Sequence, residues 1–194
     1  MSKHEFIKTR IDESITIKQK LIEQNDNIIK ISEMISNYLK NNSTLFLCGN
    51  GGTASDAQHI AAEFVGRFNI ERRPLPAEAL TTNTSIITAI GNDYSFDEIF
   101  SRQVNARMTN SDILVGISTS GKSRNVLLAL ETARKNGSAT IGFTGKNIQM
   151  MEKICDVCLS VPSDKTPRIQ EAHILEWHII CDLVEKSLFG NNQK

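Results

Sequence analysis

The strongest constraint on the fold of this chain is the stretch from Leu45 to Phe68, LFLCGNGGTASDAQHIAAEFVGRF. It begins with the apolar run 45–48, which predicts a buried strand. The next four residues, 49–52, include three glycines, and glycine adopts turn conformations that other residues avoid. A helical pattern follows, with Thr53 or Ser55 as its predicted N-cap. A strand, a glycine turn and a helix N-terminus together predict a place where backbone N–H groups can face an anion.

The predicted helix after the turn carries an imidazole and a carboxylate on one face. His59 and Glu63 are four residues apart, so their side chains project from the same side of a helix. This pair can hold a divalent metal ion. A solvated His–Glu pair, stabilising only the helix itself, accounts for the spacing equally well.

From residue 44 onward, predicted strands and helices alternate along the chain. This alternation predicts a parallel sheet covered by helices on both faces, a three-layer α-β-α sandwich of the flavodoxin-like or nucleotide-binding-like kind. We predict strands at 45–48, 77–80, 112–117, 139–144 and 157–161, and helices at 53–68, 86–90, 97–108, 124–136, 147–154 and 169–188, with a break at 91–93.

Two further helices are predicted before the alternation, at 4–24 and 25–41. The first has a rough apolar stripe with little sequence of its own to cover it: Ile7, Ile11, Ile15, Ile17 and Leu21. A helical arm that packs on another subunit explains this stripe, and an intrachain helical bundle is the alternative. We therefore divide the chain into an oligomer-packing extension, 1–43, and a main α/β unit, 44–194, which together form one structural domain.

Charge and hydropathy exclude several classes of partner. The 194 residues carry 22 basic and 22 acidic side chains, which gives no indication of nucleic acid or of an acidic membrane as partner. The charged N-terminal sequence is unlike a signal peptide, and no apolar run approaches the roughly 18 residues of a membrane span. The cysteines are too few for a disulfide scaffold, and Cys155 and Cys158 are interpreted as buried structural residues. We expect a cytoplasmic protein.

A second candidate loop follows the strand predicted at 112–117. Ser118, Thr119, Ser120 and Ser123 place four hydroxyls within six residues at a predicted helix N-terminus. Hydroxyls, free N–H groups and the positive end of the helix dipole suit a phosphate monoester. The P-loop pattern is absent, which disfavours a nucleoside triphosphate. An ordinary Ser/Thr-rich turn is the alternative interpretation.

The last predicted helix opens with further candidate ligands. Gln170 and His178 are about two turns apart along roughly one face. With His59 and Glu63 they would form a mixed nitrogen and oxygen ligand set suited to zinc. His173 competes for the imidazole position, and we interpret it as structural.

Four ordered motifs resemble a known family over nearly the whole chain: GNGGTASDAQHIAAEF, AIGNDYSF, GISTSGKSRNV and RIQEAHILEWH. They are similar to the sugar isomerase (SIS) domain of the sedoheptulose 7-phosphate isomerases, also called phosphoheptose isomerases. The resemblance implies conversion of D-sedoheptulose 7-phosphate to D-glycero-D-manno-heptose 7-phosphate, the first step toward activated heptose for lipopolysaccharide or capsule. It also implies a homotetramer whose active sites are shared between subunits, with one Zn²⁺ per subunit.

The resemblance also implies roles for particular residues. Zinc would be bound by His59, Glu63, Gln170 and His178. We assign Glu63 as the base at carbon and His178 as the acid at the oxygens. Because both can also bind zinc, the reverse assignment is the alternative. Substrate would contact Asn50, Gly51, Gly52, Glu63, Asn92, Asp93, Ser118, Thr119, Ser120, Ser123 and Gln170. The chain departs from the family at Thr53, where serine is common, and at Lys122 within the serine loop.

Two non-enzymatic functions compete with the isomerase. One is a tetrameric SIS scaffold that binds another protein, such as a replication initiator, and the other is a sugar-phosphate sensor without turnover. The presence of both Glu63 and His178, placed for proton transfer, favours the enzyme.

Overall fold

The fold is built on one parallel sheet, seen in a computed structural model that describes residues 1–190. Within that range five strands pair in the order β2-β1-β3-β4-β5. The strands are β1 (Leu45–Gly49), β2 (Ala77–Ala79), β3 (Ile113–Ser118), β4 (Ala139–Thr144) and β5 (Val157–Ser160). All four pairings are parallel, as expected for strands that read as apolar runs.

Helices precede, connect and follow the strands. They are α1 (Lys3–Lys20), α2 (Asn25–Lys40), α3 (Gly52–Val65), α4 (Thr84–Asp93), α5 (Ser101–Arg107), α6 (Arg124–Lys135), α7 (Gln149–Glu152) and α8 (Thr166–Phe189), with short 3-10 segments at Leu21–Gln24 and Phe96–Glu98.

The two faces of the sheet are covered by different helices. Alternate strand residues point to opposite faces, so Leu45 and Leu47 pack with α2, α3 and α8, whereas Phe46 and Cys48 pack with α5, α6 and α7. The largest buried side chain is Trp177 of α8, whose ring stacks on Phe143 of β4. The predicted three-layer α/β sandwich is therefore confirmed.

The N-terminal helix α1 lies outside these layers. None of its residues is buried, and Ile7, Ile11 and Ile15 are 57%, 54% and 49% exposed. Only its last turn reaches a small apolar cluster, in which Ile17 and Leu21 meet Ile169. Ile7, Ile11 and Ile15 of the predicted stripe are thus uncovered within the described chain, whereas Ile17 and Leu21 pack within it.

Several predicted boundaries were wrong in detail. The helix after the glycine turn begins at Gly52 with Gly51 as its N-cap, so neither Thr53 nor Ser55 caps it. Thr53 instead closes the turn, because its hydroxyl accepts the Asn50 N–H at 2.8 Å. Residues 91–93 do not break a helix but form the last turn of α4, which ends at Asp93 with Tyr94 as its C-cap.

The cysteines are buried structural residues, as the sequence predicted. All four cysteines are buried and free, and the sulfurs of Cys155 and Cys158 both pack against Gly142 of β4. Within residues 1–190, no helix is both long and apolar enough to span a lipid bilayer.

Candidate active site

Two turns that the sequence singled out meet at the carboxyl edge of the sheet. The strands β1 and β3 are neighbours, with Gly49 opposite Ile117, so the turns that follow them lie side by side. In the order 2-1-3-4-5 the chain reverses its direction of winding between β1 and β3. Ligands of open parallel sheets bind at such a point, outside the carboxyl ends of the strands.

The glycine turn depends on two of its glycines for different reasons. Gly51 has φ of 55°, a conformation that side chains disfavour. At Gly52 the side-chain amide of Gln170 occupies the place where a Cβ would lie. The absence of a side chain at Gly52 therefore brings α8 against the start of α3, which places Gln170 beside the turn.

The serine turn is organised by its own hydroxyls. The Ser118 hydroxyl donates to Ser123 Oγ at 2.8 Å and lies 3.4 Å from Ser120 Oγ. The Lys122 N–H donates to Ser120 Oγ at 3.2 Å. Ser123 is the N-cap of the 12-residue helix α6, so hydroxyls and unpaired helix N–H groups share one small volume. Thr119, half-buried, lies between them in the turn.

An amide pair joins the two turns. Asn50 Nδ2 donates to Asn125 Oδ1 at 2.8 Å, and Asn125 Nδ2 donates back to Asn50 Oδ1 at 2.9 Å. Asn125 is buried in the first turn of α6 and also accepts the N–H of Val126. The reciprocal pair fixes the glycine turn relative to the serine turn.

The imidazoles and the carboxylate lie on facing sides of α3 and α8. His59 Nε2 donates to Glu63 Oε1 at 3.0 Å, and the two side chains are 45% and 24% exposed. The half-buried His178 ring of α8 meets the His59 ring edge-on, with 5.4 Å between centroids. Phe68 packs against the other side of His178 at 5.5 Å. Three proton-transfer groups thus lie together between α3 and α8.

The same residues have the donor chemistry of a zinc site. Two imidazoles, one carboxylate and the Gln170 amide form a mixed nitrogen and oxygen set that zinc accepts. Glu63 already approaches His59, and His178 is next to His59, so the donor types fit the ion. Within residues 1–190, however, no three His, Cys, Asp or Glu side chains converge tightly enough to form a metal-holding group.

Two predicted substrate contacts lie apart from this cluster. Asn92 and Asp93 are exposed at the end of α4, and Asn92 Nδ2 donates to Asp93 Oδ1 at 2.8 Å. No hydrogen bond within residues 1–190 connects them to the other predicted site residues.

The structure also identifies site neighbours that the sequence analysis missed. Asp56 lies one turn before His59 on α3; burial raises the pKa of its carboxyl, and His59 partly opposes the shift. Its spacing of three residues from His59 was an available signal. His173, by contrast, is fully buried and donates Nε2–H to the Thr144 carbonyl at 3.1 Å, which makes it a core residue.

Comparison with known proteins gives the class of the chain. Residues 11–145 match the family model described as the SIS domain. Together with the fold and the two turns, this match defines a SIS-domain protein.

Individual relatives narrow the class further. The chain is 50% identical to a phosphoheptose isomerase of Clostridium acetobutylicum, covering 95% of this chain and 96% of the relative. It is 57% identical over 162 residues to a phosphoheptose isomerase of Geobacter sulfurreducens, covering 84% and 86%. The chain therefore belongs to the phosphoheptose isomerase family and is an enzyme of the isomerase class.

Solved structures of similar proteins agree. The phosphoheptose isomerase of Neisseria gonorrhoeae is 41% identical with a TM-score of 0.90, covering 95% of this chain and all of that chain. The phosphoheptose isomerase of Francisella tularensis is 35% identical with a TM-score of 0.92, covering 96% of this chain and all of that one. The fold thus agrees over nearly its full length with two solved phosphoheptose isomerases.

Proposed function

We propose that this chain interconverts D-sedoheptulose 7-phosphate and D-glycero-D-manno-heptose 7-phosphate, the first step toward activated heptose for lipopolysaccharide or capsule. One observation carries the proposal. The glycine turn beside the hydroxyl-lined serine turn contacts Gln170 of α8, and the same two helices, α3 and α8, bring Glu63, His59 and His178 together further along, in a member of this family. A sugar phosphate needs both a phosphate site and proton-transfer groups, since its phosphate and its carbonyl are at opposite ends of the molecule.

The serine turn is the proposed phosphate site. The hydroxyls of Ser118, Ser120 and Ser123 and the free N–H groups at the start of α6 are donors for phosphate oxygens, and the helix dipole adds attraction. Asn50, held by Asn125, and the adjacent glycine turn would face the sugar hydroxyls. Binding energy from the remote phosphate would serve to orient the reacting carbons.

The Glu63 and His178 side chains are the proposed proton carriers. Aldose–ketose interconversion moves one proton between C1 and C2 through an enediol and requires protons to be exchanged on both oxygens. We assign the carbon-bound proton to the Glu63 carboxylate and the oxygen-bound protons to His178. Gln170, beside the glycine turn, would orient the sugar chain.

A zinc ion, one per subunit, is proposed at His59, Glu63, Gln170 and His178. When bound it would supply Lewis-acid polarisation of the carbonyl and hold the neighbouring hydroxyl. The support is the donor chemistry of these four side chains and the proximity of the two imidazoles. Metal analysis of purified wild type should find about one zinc per chain. His59→Ala should lose most of it, and equal zinc content in the two proteins would overturn the ligand assignment.

A homotetramer with shared active sites is part of the proposal. Its support is the uncovered stripe of Ile7, Ile11 and Ile15 on α1, which a second subunit would bury. The partner is another copy of this chain, and the ligand is a small sugar phosphate.

Turnover in deuterated water tests the proposed chemistry. Wild type incubated with D-sedoheptulose 7-phosphate should form the aldose and exchange hydrogen at C1 or C2. Glu63→Gln keeps the side-chain shape but removes the carbon base, so turnover should fall by about 10²–10⁴-fold.

A matched control distinguishes loss of the catalytic base from the general effect of removing a negative charge. Glu78→Gln removes a carboxylate of similar exposure, which pairs with Arg107 of α5, and should leave turnover unchanged. If Glu63→Gln isomerises within a few-fold of wild type, Glu63 is not the base and the carbon-bound proton passes to His178.

A further inference from the structure

A buried ion pair lies directly behind the proposed proton carriers. Arg72 Nε donates to Glu185 Oε1 at 2.8 Å, with the two side chains 1% and 2% exposed. Every other ion pair within residues 1–190 has at least one side chain that is 13% exposed or more. Burying two charges is costly, so a chain retains such a pair only where its hydrogen bonds are well satisfied.

The remaining donors of Arg72 hold the end of α3. Arg72 Nη2 donates to the carbonyl of Glu63 at 2.8 Å, and Nη1 donates to the carbonyl of Phe64 at 2.8 Å. These carbonyls belong to the last turn of α3, where helix carbonyls have no partner within the helix. The guanidinium therefore fixes the backbone that carries the Glu63 carboxylate.

The Glu185 carboxylate holds the loop that follows α3. It accepts the N–H groups of Phe68, Asn69 and Ile70 at 2.8, 2.7 and 2.9 Å. Burial disfavours the charged form of Glu185, but these three N–H groups and Arg72 together hold the pKa of its carboxyl below the ordinary value. Phe68, the first residue held, is the one whose ring packs on His178.

The Arg72–Glu185 ion pair is thus connected to both proposed proton carriers. Glu63 is attached through its backbone to Arg72, while His178 precedes Glu185 by seven residues, about two turns, on α8. Between them, Cys181 is close enough for the Glu63 and Glu185 charges to add to the effect of burial in raising the pKa of its thiol to about 12.

We infer that Arg72 and Glu185 are a positioning pair, which sets the distance between the Glu63 carboxylate on α3 and the His178 imidazole on α8. The inference rests on the proposed roles of Glu63 and His178. Neither Arg72 nor Glu185 touches the reacting atoms, since both are buried behind the cleft. A misplacement of about 1 Å between reacting groups can cost about 10²-fold in rate, so this geometry governs turnover more than affinity.

Two conservative variants and a matched control test the pair. Glu185→Gln retains volume and an acceptor oxygen, and Arg72→Lys retains charge but loses the planar fork. The control is Asp112→Asn, because Asp112 is another carboxylate, 7% exposed, that accepts backbone N–H groups, from Thr44 at 2.8 Å and Thr109 at 2.7 Å. Within residues 1–190 the Asp112 side chain bonds only to Thr44 and Thr109, and no hydrogen bond connects it to Arg72, Glu185, Glu63 or His178.

Steady-state kinetics at a temperature where all variants are folded should show that loss of the Glu185 carboxylate affects turnover and loss of the Asp112 carboxylate does not. Glu185→Gln and Arg72→Lys should lower kcat by about 10–100-fold with KM within about threefold. Asp112→Asn should lower the melting temperature but keep kcat within about twofold. Unchanged kcat in folded Glu185→Gln and Arg72→Lys, or an equal loss in Asp112→Asn, overturns the inference.

A second readout does not depend on turnover. The chain has four histidines, so the ring signals of His178 and His59 can be assigned by NMR with one His→Gln variant each. Glu185→Gln should shift the His178 ring signal, since Phe68 moves against it, and Asp112→Asn should not. A wild type that fails to isomerise contradicts the proposed function, whereas the NMR comparison still decides the pair. The inference that Arg72 and Glu185 position the site is overturned if the His178 signal does not move. It is also overturned if both pair variants fail to fold while Asp112→Asn folds.

Discussion

Glu176 of α8 is a carboxyl group enclosed in the core without a hydrogen-bond partner. Its side chain is fully buried, and neither carboxyl oxygen has a partner within the described chain. Burial raises the pKa of Glu176 to about 8 and lowers the pKa of the nearby His173 to about 4. At neutral pH both core groups are therefore uncharged, which is the state that burial favours.

The raised pKa of Glu176 predicts a loss of stability with rising pH. Between about pH 4.5 and 8 the unfolded chain releases the Glu176 proton while the folded chain retains it, so the free energy of unfolding falls across this window. By pH 8 the loss should be on the order of 3–5 kcal/mol. Glu176→Gln cannot ionise and should lack this fall. Urea unfolding of both proteins at pH 5, 6.5 and 8 measures it.

Comparing the two proteins isolates Glu176, because His173 and all surface groups titrate in both. Parallel pH profiles for wild type and Glu176→Gln would contradict the assignment of the raised pKa to this carboxyl.

At the residue scale, the sequence predicted contacts within a helix better than contacts between distant segments. His59 and Glu63 are four residues apart, and helix geometry alone brings them together. Arg72 and Glu185 are 113 residues apart, and no local pattern connects an arginine after α3 to a glutamate near the end of α8. Glu176 gave no signal either, because a glutamate in a helical sequence normally faces solvent.

At the scale of elements, α1 carries a row of apolar side chains that the described chain does not cover. Its N-terminus is capped by Ser2 and Glu5, so the helix is well formed locally, yet its isoleucines face outward. A helix stripe of this kind is stabilised when another surface covers it.

A charge within the stripe should therefore disrupt the proposed assembly. Ile11→Asp should convert a tetramer to smaller species, because the new charge would be buried at the contact between subunits. Light scattering after gel filtration measures the mass of the assembly. Thr16→Asp adds the same charge to an exposed position on another face of α1, and should leave the assembly intact. A wild type that is monomeric at all concentrations removes the tetramer from the proposal.

Element types followed from the sequence, whereas several helix ends did not. The buried parallel strands read as unbroken apolar runs, so β1, β3 and β4 were predicted within one residue at either end. The glycine and asparagine at 91–92 indicated a break, yet α4 continues through them to Asp93, since one glycine costs a helix only about 1 kcal/mol relative to alanine.

At the scale of the whole molecule, the strand order brings the glycine turn and the serine turn together into one candidate site. The sequence placed both turns after strands, but periodicity alone does not tell which strands are neighbours. The pairing of β1 with β3 in the order 2-1-3-4-5 puts Gly49–Gly52 beside Ser118–Ser123, and Gln170 of α8 contacts the first of these turns. The amide pair of Asn50 and Asn125 is a consequence of that order, which is why no local motif predicted it.

Because the cleft joins elements from three parts of the chain, a bound sugar phosphate should stabilise the whole fold. A ligand that binds only the folded state at about 100 times its dissociation constant contributes about 2.7 kcal/mol, which for a chain of this size raises the melting temperature by about 5–10 °C. Sedoheptulose 7-phosphate should produce this shift, and sedoheptulose at the same concentration should not.

Variants assign that stabilisation to the serine turn. Ser120→Ala removes one phosphate partner and should weaken binding by about 1–3 kcal/mol, so its shift at the same ligand concentration should fall by about a third or more. Asp112→Asn should melt at a lower temperature yet retain the full shift, because its carboxylate stabilises the opposite edge of the sheet. Equal shifts from the phosphorylated and unphosphorylated sugars would mean that binding depends on the sugar alone, and the phosphate assignment of the turn would be wrong.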